Sequence, residues 1–362
     1  MFDFINPSDY SYFHYQFYLI IAILIFLNSL TYKLNDTRNV GVLNVIGYLY
    51  MVFIVFYMGM RPINGVFVDM TVYANMFKRY QESGFIEYSD DYGFYYFLEL
   101  CGDYMNVETF FFVCACLYVL PLFFLSKKLF RQYWFYSFLI LCGSFSFWSY
   151  GTNGIRNGIA TSIFLLAFFY RKNRPLLIGT MILACSFHQS LLLPTLAYIV
   201  SIYYRSSKGY LLFWFSSILI SLVLGNYLVL LVGGAGFGTE KVGAYFTENV
   251  NEEFRGMGFR WDFIIYSSLA VFSGWYYIFK KKINDVFYNQ MYNIFLIANA
   301  AWILVIRVNF SNRFAYLSWF MMGLIIIYPL LTNKILKYQN FKIGAVVIIY
   351  YSFTYLMNVV LA

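Results

Sequence analysis

Residues 107–158, VETFFFVCACLYVLPLFFLSKKLFRQYWFYSFLILCGSFSFWSYGTNGIRNG, decide what kind of protein this is. Two apolar runs, 107–126 and 132–150, flank a short basic turn that holds Lys127, Lys128 and Arg131. A helix needs about 20 apolar residues to cross a hydrocarbon layer about 30 Å thick. Lys and Arg in a short connection hold that connection on the cytoplasmic side. The tail of the stretch, YGTNGIRNG at 150–158, is of another kind, with Gly151, Gly154 and Gly158, Asn153 and Asn157, and Arg156. Irregular backbone at membrane depth is tolerated where it lines a water-filled cavity. The stretch therefore predicts membrane-crossing helices and one broken helix that carries a cation.

The same pattern extends over the whole chain of 362 residues. Apolar segments lie at about 11–32, 40–60, 107–126, 132–150, 155–170, 175–188, 190–204, 209–232, 261–279, 286–306, 314–332 and 343–360. Hydrophobic residues make up 61% and charged residues 12%, about half the charge of a soluble domain. That excludes a soluble globular enzyme, a disordered chain and a secreted disulfide scaffold. The expected fold is an all-α polytopic membrane protein with about 12 transmembrane helices, a single integral membrane domain over 1–362. No internal repeat or low-complexity linker divides it. Residues 1–9 carry two acids and no Lys or Arg, so no cleavable signal peptide is expected. Cys101, Cys114, Cys116, Cys142 and Cys185 form no Cys-x-x-Cys pair or zinc set.

With the N-terminus outside, the cytoplasmic connections hold 16 basic residues against the two acids Asp36 and Asp285. The opposite orientation inverts the charge rule at every loop. Eleven of the 13 Lys fall on the cytoplasmic side, whereas seven of the 12 Arg fall outside: Arg61, Arg79, Arg156, Arg255, Arg260, Arg307 and Arg313. A guanidinium is a planar, permanent cation suited to phosphate. The same Arg could pair with the 15 outer acids or with lipid phosphate, and both readings stand at this point.

Two long outer segments follow, at about 61–106 and 233–260. In the first, Val68, Val72, Phe77 and Tyr80 give the apolar face of an amphipathic helix lying at the interface. The second opens on GGAGFG, which lacks the flanking strand and Lys-Ser/Thr of a phosphate-binding loop, and reads as a flexible loop. The acidic pairs Asp90-Asp91 and Glu252-Glu253 read as solvated turns.

Helix rise places the remaining polar residues in depth. His188 lies about 21 Å from the basic anchor Arg174, and Arg156 about 22 Å from Arg171, so both stop short of the outer surface. Arg61, Arg307 and Arg313 reach the outer interface. An ionisable group below the interface is expensive unless it faces a polar cavity. Arg156 either snorkels or lines such a cavity, and His188 is either a structural histidine in a tight hairpin or a functional one. His14 reads as interfacial.

These residues resemble a family. Arg61, Gly65, Asp69 and Tyr73 are similar to the Arg-(x)n-Gly-x-x-x-Asp-x-x-x-Tyr stretch of the EpsG/Wzy-type polysaccharide polymerases. Tyr92-Gly93-Phe94-Tyr95 resembles their Glu-x-Gly-Phe segment, with Asp90 and Asp91 ahead of it in place of Glu-Pro. Arg156-Asn157-Gly158-Ile159-Ala160 resembles Arg-Gln-x-Ile-Ala with Asn for Gln, Phe187-His188-Gln189-Ser190 matches Phe-His-x-Ser, and Arg313-Phe314-Ala315-Tyr316 resembles a late Arg-x-x-Tyr. Residues 233–260 show no match.

The resemblance implies a GT-C-like glycosyltransferase in the bacterial inner (cytoplasmic) membrane, its site facing the periplasm or cell exterior. It would join undecaprenyl-pyrophosphate-linked oligosaccharide repeats into O-antigen, capsule or exopolysaccharide. Membrane lipid, a chain-length regulator and a flippase are the expected partners; neither nucleic acid nor a cofactor is. The leaving pyrophosphate needs fixed cations. Arg156 is assigned to it, with Arg61 and Arg313 in support and Arg307 weaker. Metal dependence would instead call for paired carboxylates, and no metal ligand set is assigned. The acceptor hydroxyl needs a base, for which His188 is first choice and Asp69 second. Tyr73 would stack on a sugar or touch phosphate. The rival functions are a flippase, an O-antigen ligase and a membrane acyltransferase. A flippase should show repeat-related halves with paired broken helices, and only 150–158 is interrupted.

Overall fold

The computed structural model describes residues 5–88, 90–234, 259–308 and 311–361. Of the glycine-rich run at 233–238, residues 235–238 fall outside the described residues. Lys241, Glu252, Glu253 and Arg255 lie outside them altogether. Among the described residues the protein is all-α. The helices are α1 (Tyr10–Thr31), α2 (Thr37–Gly59), α3 (Val68–Ser83), α4 (Tyr92–Tyr104), α5 (Val107–Phe130), α6 (Trp134–Cys142), α7 (Phe147–Thr152), α8 (Ile155–Ala167), α9 (Arg174–Phe187), α10 (Leu192–Tyr203), α11 (Ser207–Gly234), α12 (Trp261–Trp275), α13 (Val286–Leu304), α14 (Asn312–Trp319), α15 (Met322–Thr332) and α16 (Gln339–Tyr355).

Their ends follow local chemistry. Asp36 accepts from the N–H groups of Arg38 and Asn39 and starts α2, Asn106 accepts from Thr109 N–H and starts α5, and Asp285 caps α13 through Tyr288 N–H. Each carboxylate or amide satisfies amide hydrogens that a helix start leaves unpaired.

Among the described residues, six stretches are long and apolar enough to cross a membrane: Pro7–Thr31, Thr37–Gly59, Val107–Cys142, Ser207–Gly225, Asn312–Thr332 and Gln339–Val360. Ile155–Tyr170, Arg174–Phe187 and Gln189–Tyr203 are shorter apolar helices. This is a multi-pass membrane protein, but the twelve expected segments are not twelve full-length helices. The 14 residues of α9 rise about 21 Å, short of the hydrocarbon thickness. The segment expected at 132–150 breaks after Cys142 into α6 and the six-residue α7.

The residues fall into two units. One comprises 1–191 and 327–362. In it α1 runs along α16, α2 along α5, and α5 contacts α6 and α8; α8 packs on α9, and α4 touches both α9 and α3. Hydrogen bonds tie this frame together: Tyr18 donates to Leu139 O at 2.7 Å, Tyr351 to Tyr15 O at 2.7 Å and Thr354 to Gly143 O at 2.9 Å.

The other unit is 192–326. Here α13 is central, contacted by α10, α11, α12 and α14. Its buried Asn299 accepts from Trp214 Nε1 at 2.7 Å and donates to Ser267 at 3.1 Å and Ser318 at 2.9 Å. With these bonds the buried amide escapes the penalty of an unpaired polar group.

The first long outer segment folds into α3 and α4. α3 is the amphipathic helix expected there, and its buried face shares Phe77 with the expected one but not Val68 or Val72. Met70, Tyr73, Ala74 and Phe77 are buried, while Val68 and Val72 are exposed. The helix turns its aromatic side to the protein because α4 and α5 cover it: Tyr73 meets Phe94 of α4 at 5.0 Å and Phe77 meets Phe110 of α5 at 5.1 Å between ring centroids.

Candidate functional site

Asn153 and Gly154 separate α7 from α8, and Gly154 sits where the chain turns. Gly158 then packs on the Tyr150 carbonyl; a Cβ there would stand 2.5 Å from that oxygen. This close approach folds α7 back against α8, which puts Arg156 in the first turn of α8. A cation at a helix N-terminus gains nothing from the backbone dipole, so its stabilisation must come from other elements.

It comes from α3 and α4. Arg156 Nη1 donates to Asp91 Oδ2 at 2.7 Å and to Tyr95 Oη at 3.3 Å. Its guanidinium carbon lies 5.6 Å from the Tyr73 ring centroid, 5.8 Å from Tyr95 and 6.0 Å from Phe94. An aromatic cage favours a cation electrostatically, the more so when water is thinned out. Burial pushes the Tyr73 phenol above its ordinary value, against the pull of Arg156. Asp69 lies one helical turn before Tyr73 on α3 and raises the same phenol.

Asp91 is the residue that the sequence reading placed in a solvated turn. It is 7% exposed. Its Oδ2 takes Arg156, and its Oδ1 accepts the backbone N–H of Gln189 at 3.0 Å. One carboxylate thus ties the start of α4, the start of α8 and the chain just beyond α9. The Gln189 side chain adds a bond to the Asp90 carbonyl at 3.1 Å. Gly93 permits the approach: a Cβ there would collide with the Ser186 hydroxyl and lie 2.9 Å from the Ser186 carbonyl carbon.

His188 ends α9 in extended backbone. The Ser190 N–H donates to His188 Nδ1 at 3.2 Å, and Ser190 Oγ lies 2.9 Å from the same nitrogen. A ring nitrogen that accepts carries no proton in the neutral imidazole, so the proton is on Nε2. Ser190 Oγ also donates to Asn157 Oδ1 at 3.4 Å. Asn157, which stands where the family pattern has Gln, therefore still offers its amide oxygen to this turn. Arg156, Tyr73, Asp69 and His188 are brought into one neighbourhood by α3, α4, α8 and the turn after α9.

Arg61 is placed differently. It is 4% exposed, donating through Nη1 to the Met58 carbonyl and through Nη2 to the Thr152 carbonyl at 3.5 Å, under the Phe67 ring at 5.3 Å. It satisfies carbonyls at the C-terminal ends of α2 and α7, where a cation is favoured. Burial pushes it down to about 10, still charged at neutral pH. A cavity of about 650 Å³ adjoins it, with Phe56, Met60, Phe112 and Glu108 in the wall. Arg307 and Arg313 belong to the other unit. Arg307 packs on Gly225 of α11, with Phe259 5.8 Å below the guanidinium; Arg313 is exposed in the first turn of α14. Arg260 pairs with Asp262 at 2.6 Å. His14 is buried inside the protein and stacked on Trp148 at 4.6 Å. No cluster of three or more metal-ligating side chains occurs among the described residues.

The model of the EpsG family matches residues 48–362. The chain belongs to the EpsG family. That span includes α3, α4, α8 and the turn at His188. EpsG membership makes this a membrane protein of exopolysaccharide biosynthesis. No curated protein and no solved structure matches the chain.

Proposed function

We propose that this EpsG-family protein is a polymerase that joins oligosaccharide repeats carried on undecaprenyl pyrophosphate, at the outer leaflet of the bacterial cytoplasmic membrane. A GT-C-like arrangement of about twelve crossings belongs to the same reading. The observation that carries it is Arg156, a guanidinium held at a helix break by one carboxylate and three aromatic rings. Asp91 engages Nη1 alone among the Arg156 nitrogens. Tyr73 also hydrogen-bonds the guanidinium, and the donors left on its five-N–H fork can hold a pyrophosphate oxygen.

In the reaction an acceptor sugar hydroxyl attacks the anomeric carbon of the donor chain. The new C–O bond forms as the anomeric C–O bond to pyrophosphate breaks, and undecaprenyl pyrophosphate leaves with the bonding pair. Arg156 meets the charge that develops on the leaving oxygen, an effect that grows in a site with little water. The acceptor proton goes to a carboxylate, and Asp69, one turn from Tyr73, is the residue we assign. The Nδ1 of His188 is engaged by Ser190, so His188 serves as an Nε2–H donor to a substrate oxygen rather than as the base first expected. A direct displacement of this kind inverts the anomeric centre.

Purified protein in lipid, given only lipid-linked repeats, tests the reading. A ladder of longer lipid-linked glycans is expected. Movement of the repeat without covalent change would make the protein a flippase. Product formed only with a different acceptor would make it a ligase or acyltransferase.

A further inference from the structure

The outward side of α4 has no part in holding Arg156. Tyr92 and Tyr96 are one turn apart and 63% and 64% exposed, and Glu99 and Asp103 continue along the helix at the same spacing. Tyr88 donates to Glu99, and Tyr80 of α3 donates to Asp103 at 2.8 Å. Two phenol–carboxylate pairs thus stand beside two open tyrosine rings. Tyr88 also stacks on Tyr95 at 5.7 Å and approaches Tyr92 at 6.1 Å. Since Tyr95 accepts from Arg156, the tyrosine surface is continuous with the cation site.

Exposed tyrosines at a membrane interface commonly anchor a protein in headgroups. The charge on this helix argues against that role. α4 carries no Lys or Arg, and its acids repel lipid phosphate. The chemistry suits a neutral sugar instead. Aromatic faces stack on the C–H face of a pyranose, and a carboxylate already accepting one phenol retains lone pairs for sugar hydroxyls.

We infer that Tyr88, Tyr92, Tyr96 and Glu99 form a glycan-binding track that holds neutral or amide-bearing sugar units of the polymer next to the Arg156 site. The inference rests on the polymerase reading for the identity of the glycan. The track favours neutral over uronate-rich chains because Glu99 and Asp103 oppose a second carboxylate. Its function would be to retain the chain between additions, so that product length depends on it.

The test uses full-length protein in nanodiscs of neutral lipid. The probe is the producing cell's own polymer, released from its carrier by mild acid and fractionated into short oligosaccharides. Binding is read by saturation-transfer NMR. The double variant Tyr92→Ala/Tyr96→Ala is expected to weaken binding about tenfold, and Tyr96→Phe, which keeps the ring, to leave it within about twofold. Both side chains are exposed, so folding should survive, and a thermal melt of each variant checks this. Unchanged binding in the double variant, or no binding by the wild type, would overturn the track. The lipid-linked ladder is run in parallel. A normal ladder with unaltered lengths in the double variant removes the track and leaves the polymerase. Tyrosine-dependent binding without a ladder removes the polymerase and leaves a sugar-binding surface.

Discussion

Asp91 Oδ2 accepts Arg156 Nη1 at 2.7 Å across 65 residues of sequence, while Asp91 Oδ1 holds the backbone of Gln189. The pair is the point at which the outer helices, the broken helix and the histidine turn are fastened together. Asp91→Asn keeps the shape and removes the charge. It should lower stability by about 1.5–3 kcal/mol, the range for a hydrogen bond to a charged group. Polymer yield should fall, because Arg156 loses its anchor. Asp91→Ala/Arg156→Ala should cost less than the sum of the single changes, since the two share one interaction. Thermal unfolding of the purified variants followed by tryptophan fluorescence measures both effects.

The proton position on His188 separates two roles. An Nε2–H donor is partly replaced by the amide of Gln, whereas a base is not. His188→Gln should keep measurable polymerisation, while His188→Ala loses about 10²-fold, the scale for one donor to a developing oxyanion. Equal loss in both variants, with Asp69→Asn remaining active, would return the base role to His188. Single-turnover rates with lipid-linked repeats distinguish these outcomes.

Gly93 sets the distance between α4 and α9. Gly93→Val places carbon against the Ser186 hydroxyl and carbonyl carbon. Overpacking of this kind costs about 1–3 kcal/mol. It should also withdraw Asp91 from Gln189, so activity should fall in protein that still folds. Retained activity and an unchanged melting temperature would show that α4 can shift without consequence. Ser186→Gly, made together with Gly93→Ala, should relieve the side-chain clash only, because the Ser186 carbonyl carbon stays 2.9 Å from the new Cβ.

Arg61 links the ends of α2 and α7 rather than the Arg156 cage. Arg61→Ala should reduce folded yield and melting temperature by leaving the carbonyls of Met58 and Thr152 unpaired, at about 1–3 kcal/mol for a buried group. Substrate affinity of whatever folds should change little. A large rise in KM with normal stability would move Arg61 into phosphate binding.

The membrane class, the broken segment before Arg156 and the neighbourhood of Arg156 with His188 were legible in sequence because hydropathy and helix rise are local properties. What was not legible depended on pairing. Asp90-Asp91 looked like a polar turn because nothing local marks which acid will be buried by a helix 65 residues later. The apolar face of α3 was partly misplaced for the same reason: Val68 and Val72 are as hydrophobic as Met70 and Ala74, and only the covering α4 and α5 choose between them. The helix breaks were not legible either, because apolar content persists through α6 to α10 while the helices are interrupted. Arg61 carries the same sequence signal as Arg156, an outer Arg beside a span. Its role as a helix cap emerged only with the Thr152 carbonyl in place.

The central claim is that Arg156 stabilises a departing pyrophosphate, and a lysine at that position tests it most directly. Lysine keeps the charge but not the fork that binds Asp91 and an oxyanion together. Wild-type protein in nanodiscs with pure undecaprenyl-pyrophosphate-linked repeats should build a ladder and release undecaprenyl pyrophosphate. Arg156→Lys, checked to be folded by its melt, should give about 10²-fold less of both. A full ladder from folded Arg156→Lys would contradict the account.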